Sequence, residues 1–600
     1  MKSSKFRTRR RKAIIDIEKV NARLVSNVGR TAFTLSFLAL FLVLYEYGVK
    51  SNLGTTIVFH VFYLFTVAVG LVSQIFRYLR SKESTKMKVW IVDGILVLLM
   101  LIVFFTSLDF GITEIREENI LLLITCLFIF VRELSARNFQ LKKTFLNPAQ
   151  FFVLSFMLVI LAGSLMLMLP NSTVHEISFL NAVFTATSAV SVTGLAVVDT
   201  GKDFTMFGQT IILVLIQLGG IGVMTFTSYF SYFFKGGTSY ESQLIMRDMT
   251  NSDKIAEVFD TLKRIILVTI TIEIIGGVFI FSSLDPNVIQ SFTDRLFFST
   301  FHAISGFCNA GFSTLSGGLY EPAFRFNYPI HLTLSFLLIL GGIGFPIMFN
   351  SFKYFKHLVV NRILPFTRHA KVIYKPWVIN LNTRIILITT TILIIAGTVT
   401  FYIFEYNNSL AEHSGFGKIV TAFFGGITPR TAGFNTVDYS AVTFPTIMIT
   451  ILLMWIGASP ASTGGGIKTS TFAIATMNIF SIARGKDRLE IYRREVAQSS
   501  IRRAFAIISL SLIVIGAATF FLAYFEPDKD IKALTFEVFS AYSTVGLSMG
   551  VTPQLGEGGK IILIFVMFIG RISMLTLLIA MLKQTKQLKY RYPTEEILIN

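Results

Sequence analysis

Charge is scarce in this 600-residue sequence. Asp, Glu, Lys and Arg together make up 15% of it, against about 25% in an ordinary soluble domain. A chain this long and this poor in charge lacks the polar surface that keeps a protein in water. Negative charge is the scarcer sign, with 35 Asp+Glu against 54 Lys+Arg and a formal net charge of +19. Cysteine is nearly absent: Cys126 and Cys308 lie far apart in apolar surroundings, which excludes a disulfide framework and a cysteine-based metal set. The seven histidines are dispersed without ligand spacing. No His, Cys or carboxylate constellation suggests a catalytic residue, so an enzyme is not expected. There is also no soluble basic domain of the kind that binds nucleic acid. Collagenous and disordered classes are excluded by composition.

What fills the sequence instead is apolar residue, 53% of the total. A spanning helix needs roughly 20 apolar residues to cross a hydrocarbon core about 30 Å thick. Runs that approach or exceed this length occupy 31–49, 55–78, 90–106, 120–131, 151–169, 207–234, 265–281, 330–355, 385–404, 444–483, 504–525 and 561–582. Backbone polar groups must pair internally in lipid, so the expected fold is an all-α polytopic membrane protein of about twelve spans. Basic residues gather in alternate loops: Arg7 to Lys12, Arg77 to Lys88, Arg132 to Lys143, Lys353 to Lys371, Arg484 to Arg494 and Lys583 to Arg591. The intervening loops are neutral or acidic, with Glu114, Glu117 and Glu118, then Asp285, Glu405 and Glu412, then Glu526 and Asp528. The positive-inside rule then places the basic loops and both termini in the cytoplasm. The basic N-terminus has no small-residue cleavage site after a short apolar core, so no removable signal peptide is expected.

From residue 151 a unit recurs four times: apolar span, shorter helical stretch, small polar segment ending in Gly, second apolar span. The short stretches are 179–189, 297–305, 419–426 and 533–541, too short to span and therefore expected to be re-entrant. The polar segments contain Val192-Thr193-Gly194, Asn309-Ala310-Gly311, Thr431-Ala432-Gly433 and Thr544-Val545-Gly546. Set around an axis, they bring four glycines face to face. Glycine admits backbone angles closed to other residues, so carbonyl oxygens can turn inward and replace the hydration shell of a cation. The hydroxyls of Thr193, Thr431 and Thr544 can add oxygens below such a ring. Small residues at a helix interface also permit close packing, but packing alone does not require four segments in register.

Two further features stand out. The second span of the third unit is interrupted at residues 457–469, where Pro460 and Gly464-Gly465-Gly466 cannot continue a helix. Unwound backbone at membrane depth should face the aqueous path. It is not a phosphate-binding loop, because Gly does not immediately precede Lys468 and no strand precedes it. Arg571 lies inside the last apolar run, where a charge costs at least about 2.5 kcal/mol and needs a watery cavity or a partner. Asp93 and Glu273 are the other acids within apolar runs; the first suits an interfacial charge and the second a pair with a neighbouring helix.

The four segments 187–200, 302–314, 425–436 and 540–550 resemble the filter segments of the Trk/Ktr/HKT superfamily of potassium transporters, nearest its bacterial Ktr-type and TrkH-like translocation subunits. The resemblance covers roughly 148–590. It implies four helix–pore-helix–filter–helix units around a central pore. It also implies an ion-binding filter at Val192, Thr193, Gly194, Asn309, Ala310, Gly311, Thr431, Ala432, Gly433, Thr544, Val545 and Gly546. Potassium would be held there by backbone oxygens. Gly194 stands where a serine accompanies sodium preference in part of the plant branch, so potassium is expected. The resemblance further implies an intramembrane gate made of Gly464, Gly465, Gly466 and Lys468 with Arg571 as an electrostatic barrier. Ala458, Ala461, Gly464 and Ser573 depart slightly from the family pattern.

Implied for the whole is potassium uptake across the bacterial cytoplasmic membrane by a homodimer. No cofactor is expected in this chain, and a nucleotide-binding cytoplasmic regulatory subunit is expected as a separate protein. Sodium-coupled, proton-coupled and channel-like transport all fit, and a non-transporting sensor or scaffold is the alternative. The expected organisation is a basic N-terminus at 1–30, a four-helix transmembrane extension at 31–145, units at 146–250, 251–375, 376–495 and 496–590, and a cytoplasmic tail at 591–600. Span four carries only Arg132 near its end, so the extension is not expected to sense voltage. A lipid-facing scaffold, a dimer contact and a partner dock all suit it.

Overall fold

In a computed structural model, the structure describes residues 2–49, 53–80, 87–109, 119–136, 148–222, 258–367 and 379–581. The tail at 591–600, the boundaries expected at 145, 250, 375 and 590, and loop charges such as Glu114, Lys142, Lys371 and Lys589 lie outside the described residues.

The regular secondary structure of the described residues is helical apart from one small hairpin. Four N-terminal helices, α1 (Lys2–Gly48), α2 (Leu53–Arg80), α3 (Met87–Asp109) and α4 (Asn119–Ala136), pack around Val67, Met100, Cys126 and Ile129. Among the described residues of this bundle, the buried acids Asp93 and Glu133 are both paired. Asp93 receives Arg132 and the Tyr78 hydroxyl, and Glu133 receives Arg77 at 2.8 Å and Ser73 at 2.8 Å. An acid in a low-dielectric interior is tolerated when a cation and hydrogen bonds offset its desolvation. Asp93, expected at an interface, is thus buried and paired. The bundle meets the rest through the end of α1, where Gly48 and Tyr47 carbonyls accept from the Asn171 backbone and side chain, both at 2.8 Å.

The four units follow. The first is α5 (Pro148–Leu167), α6 (Phe179–Ser191) and α7 (Met206–Gly220). The second is α8 (Val258–Ser283), α9 (Phe292–Cys308), α10 (Tyr328–Ile343) and α11 (Phe345–Thr367). In the third, α12 (Leu381–Glu405) and α13 (Gly415–Ile427) precede α14 (Phe444–Trp455) and α15 (Thr469–Ala483). The fourth has α16 (Gln498–Phe525), α17 (Ile531–Tyr542), α18 (Glu557–Ile572) and α19 (Met574–Met581). The hairpin, β1 (Glu490–Ile491) and β2 (Arg494–Glu495), joins units three and four.

The short helices match the expected re-entrant stretches; the first starts at Phe179 as expected, and the other three start two to five residues earlier. Ser178, Ser291, Ser414 and Asp530 stand at their N-caps, and the first two and last accept a backbone N–H there.

The long apolar runs behave differently from the expectation. Among the described residues five helices are long and apolar enough to cross a membrane, or six if one bent pair counts as a single span. Several of the other runs are shorter because the second helix is interrupted in units two and four as well as in unit three, and that of unit one ends at Gly220, two residues before the described residues stop. The α10–α11 pair bends by 104° at Gly344. Positive φ marks these helix ends at Gly222 (87°), Gly344 (90°) and Ser573 (75°). The sequence signal is a repeated short pattern: Gly219-Gly220-Ile221-Gly222, Gly341-Gly342-Ile343-Gly344 and Gly570-Arg571-Ile572-Ser573. The first glycine of each faces a carbonyl at the end of its unit's short helix: Val190, Phe307 or Tyr542. A side chain there would collide with that carbonyl.

Candidate functional site: a glycine ring above a pinned loop

The four short helices converge with their C-terminal ends on the polar segments, and the segments repeat one backbone pattern. Val192, Asn309, Thr431 and Thr544 have φ of 58°, 60°, 65° and 50°. Two residues later Gly194, Gly311, Gly433 and Gly546 have φ of 91°, 71°, 77° and 93°. Non-glycine residues seldom adopt positive φ, so four in equivalent places are held there by their surroundings. Part of that hold is local. The backbone N–H groups of Thr193, Ala310 and Val545 each donate at 2.8 Å to a carbonyl five residues earlier, those of Ser188, Ser305 and Ser540. Side-chain hydroxyls complete it: Ser188 and Ser540 accept from the Gly194 and Gly546 N–H groups, while Ser305 and Thr428 donate to the Phe312 and Phe434 carbonyls.

The glycines close a ring. A Cβ on Gly194 would come closer than 3.0 Å to the Ala310 carbonyl oxygen; on Gly311, to that of Ala432; on Gly433, to that of Val545; and on Gly546, to that of Thr193. The order 194, 311, 433, 546 and back to 194 is cyclic, and at each step a neighbouring carbonyl occupies the space that a side chain would need. Eight of the twelve segment residues singled out in the sequence meet in this ring, and the other four, Val192, Asn309, Thr431 and Thr544, each stand one place before it. Thr193, grouped in the sequence with Thr431 and Thr544, stands one place further along, level with Ala310, Ala432 and Val545. Its hydroxyl lies 2.7 Å from that of Ser191.

On one side the ring opens into a vestibule of about 810 Å³, whose wall includes all four glycines. Glu176, Asp199, Asp203 and Asp438 line it, with no Lys or Arg among the lining residues. These acids are not evident in a sequence scan, because Glu176, Asp199 and Asp203 come from two loops of unit one and Asp438 from a loop of unit three.

On the other side lies the interruption of unit three, residues 456–468. Its residues Thr463, Gly464 and Gly465 meet three segments in turn. The Thr463 hydroxyl lies 3.2 Å from Asn309 Oδ1, Gly464 abuts the Thr431 hydroxyl, and Gly465 abuts the Thr544 hydroxyl. Neither threonine hydroxyl has a hydrogen-bond partner. The loop is also stitched to the break in unit two: the Ser459 and Thr463 N–H groups donate to Gly342 and Gly341 carbonyls, and Phe345 N–H donates to the Ala461 carbonyl.

Three cations hold the loop's carbonyls. Arg571 donates through one Nη to Thr463 and through the other to Gly219 at the end of α7. Lys468 Nζ donates to Gly464 at 2.6 Å. Arg430 reaches Gly457 at 3.5 Å. Arg571 and Lys468 were expected here; Arg430 was not, although a lone charge among small buried residues was a usable signal. Glu273 on α8 accepts from Gln217 of α7 at 3.0 Å and lies against Cys308, the last residue of α9. Among the described residues no group of His, Cys, Asp or Glu could hold a metal ion by side chains alone.

Proteins similar to this chain carry the names of uptake and transport proteins. The chain is 38% identical over 453 residues to Ktr system potassium uptake protein B of Bacillus subtilis, covering 75% of this chain and 96% of that protein. It is 35% identical over 451 residues to the protein of the same name from Vibrio alginolyticus, covering 74% and 93%. It is 32% identical over 462 residues to the potassium/sodium uptake protein NtpJ of Enterococcus hirae, covering 76% and 97%. Its fold resembles the crystal structure of the potassium transporter TrkH from Vibrio parahaemolyticus, with a TM-score of 0.58 at 15% identity over 87% of this chain and 97% of that one. The family described as TrkH, cation transport protein, matches residues 117–591. The glycine ring, the broken helices and these matches agree, and the chain belongs to the TrkH family of cation transport proteins, a membrane transporter family and not a family of enzymes.

Proposed function

We propose that the chain is the translocation subunit of a potassium uptake system in the bacterial cytoplasmic membrane, with both termini in the cytoplasm. The observation that carries this is the closed ring of four glycines at the floor of an acid-lined vestibule. Carboxylates concentrate cations at the mouth. Neutral backbone oxygens of Val192 to Gly194, Asn309 to Gly311, Thr431 to Gly433 and Thr544 to Gly546 then replace the ion's hydration shell. The short helices aim their partially negative C-terminal ends at the same place. Below the ring, Gly464, Gly465 and Gly466 close the path, and Lys468, Arg430 and Arg571 pin the loop that carries them, at Gly464, Gly457 and Thr463; transport requires the pinned loop to move.

The names of the Bacillus and Vibrio relatives favour potassium, and that of NtpJ leaves sodium as the competitor to be measured. The units at 146–250, 251–375, 376–495 and 496–590 act as one pore, and the extension at 31–145 is an added bundle. The working assembly is a homodimer with a separate cytoplasmic nucleotide-binding regulatory subunit. Purified protein in vesicles, given independently set potassium, sodium and proton gradients, should pass potassium or rubidium. Vesicles that pass neither would overturn the reading in favour of a non-transporting sensor or scaffold.

A further inference from the structure

Between α12 and α15 the structure holds a second cavity, of about 640 Å³, which shares no lining residue with the vestibule. Its long walls are apolar and face outward: Ile388, Ile392 and Phe480 are 45%, 59% and 62% exposed. From Leu393 back to Ile385 the α12 wall runs eight residues, about 12 Å at 1.5 Å per residue. One end is polar. There the wall passes to Arg484 and Lys486 just after α15 and to the β1–β2 hairpin. The hairpin turn is built from Tyr492 and Arg493, with φ of 50° and 61°. Such two-residue turns favour Asn-Gly or Asp-Gly. Two bulky residues in the left-handed region are a strain that persists when the side chains are needed in place. Tyr492 lines the cavity mouth, and the Arg384 guanidinium lies 4.6 Å from the centre of its ring.

An apolar slot that ends in basic side chains at the edge of the membrane matches one ligand class. We infer that this cavity is a binding site for an anionic phospholipid, its acyl chain along Ile388 and Ile392 and its phosphate at Arg484 and Lys486. Lining acid is confined to Glu490, and basic pockets between membrane helices on the cytoplasmic side suit acidic headgroups. The inference rests on the proposed orientation, which puts the Arg484–Arg494 loop in the cytoplasm. It also has a consequence for transport. Thr469, the first residue of α15, directly follows the pinned loop, so a lipid wedged against α15 steadies the helix from which that loop hangs.

The test is native mass spectrometry of the full chain purified in detergent and offered an equimolar mixture of phosphatidylglycerol and phosphatidylcholine. The chain should retain phosphatidylglycerol in roughly tenfold preference, as expected for two basic side chains near a headgroup. The double variant Arg484→Gln/Lys486→Gln should bring the ratio near one, and Ile388→Trp, which fills the slot, should lower retention of both lipids. Equal retention by the parent chain, or an unchanged ratio in the double variant, would overturn the site. Displacement by inorganic phosphate alone would show a phosphate site in place of a lipid site. A slot closed by a second copy, seen as a cross-link between Ile392→Cys residues of two chains with no lipid retained, would also overturn it. Retention is read without transport, so failure of the potassium reading and failure of this one are separable.

Discussion

On the vestibule side of the glycine ring the charged groups are Glu176, Asp199, Asp203 and Asp438; on the loop side they are Arg430, Lys468 and Arg571, each donating to a loop carbonyl. The acids sit at a watery surface, where salt screens a charge beyond about 10 Å at 0.1 M. The cations sit among protein atoms and are spent on hydrogen bonds as well as on field. On the proposed reading, charge on the first side tunes how often a cation arrives, while charge on the second holds the loop shut. Between them, the ring itself is neutral. If this division is right, mutations should grow more severe from vestibule to loop to ring.

The largest effect is expected in the ring. Gly433→Ala places a methyl group against the Val545 carbonyl and forces a side chain to adopt a φ of 77°. Because the obstacle is backbone, it cannot rotate away. Strain of about 1–3 kcal/mol at such a site should cut rubidium uptake by roughly tenfold or more and reduce discrimination against sodium. Radiotracer flux from folded, vesicle-reconstituted protein measures both. Wild-type uptake and selectivity in Gly433→Ala would mean that ions do not pass this ring.

Next comes the clamp. Arg571→Ala removes two charge-assisted hydrogen bonds that join the loop to the end of α7. Each is worth about 1.5–3 kcal/mol, so the loop should leave its closed position far more often, and potassium flux should rise by about tenfold or more. Arg571→Lys sharpens the comparison, since it keeps the charge but cannot reach both carbonyls in a fork. Flux in the Lys variant close to that of Arg571→Ala would identify a mechanical clamp. Flux close to wild type would identify a purely electrostatic barrier, and the two sides of the ring would then differ only in sign.

How much of this was legible in the sequence depended on whether the signal was local. The four Gly segments and the short helices before them could be read because each is contiguous; the starts of the last three were read late, since their caps Ser291, Ser414 and Asp530 lie upstream of the apolar stretches. The break in unit three was visible because Pro460 and three glycines sit together. The helix ends at Gly222, Gly344 and Ser573 were hidden inside apolar runs, where one residue with positive φ has little weight against twenty that favour a span. Arg571 was conspicuous as a charge in a run, but its partners, Thr463 and Gly219, are 108 and 352 residues away. The acids of the vestibule were the least legible. Asp199 and Asp438 look like ordinary loop residues until the units close around an axis.

Those acids carry the smallest prediction. Removing one charge at Asp438→Asn changes the field at the ring by an amount that Coulomb's law puts at about 1 kcal/mol or less in a largely aqueous path. The apparent KM for potassium should rise by roughly two- to fivefold, with little change in maximal flux, because the ring and loop are untouched. The shift should fade when ionic strength is raised with an impermeant salt, as screening shortens the reach of the remaining acids. A rise in KM that persists at high salt would make Asp438 a direct ligand of the ion. A fall in maximal flux at unchanged KM would instead tie it to the shape of the ring, through the neighbouring wall residues Asn435 and Tyr439.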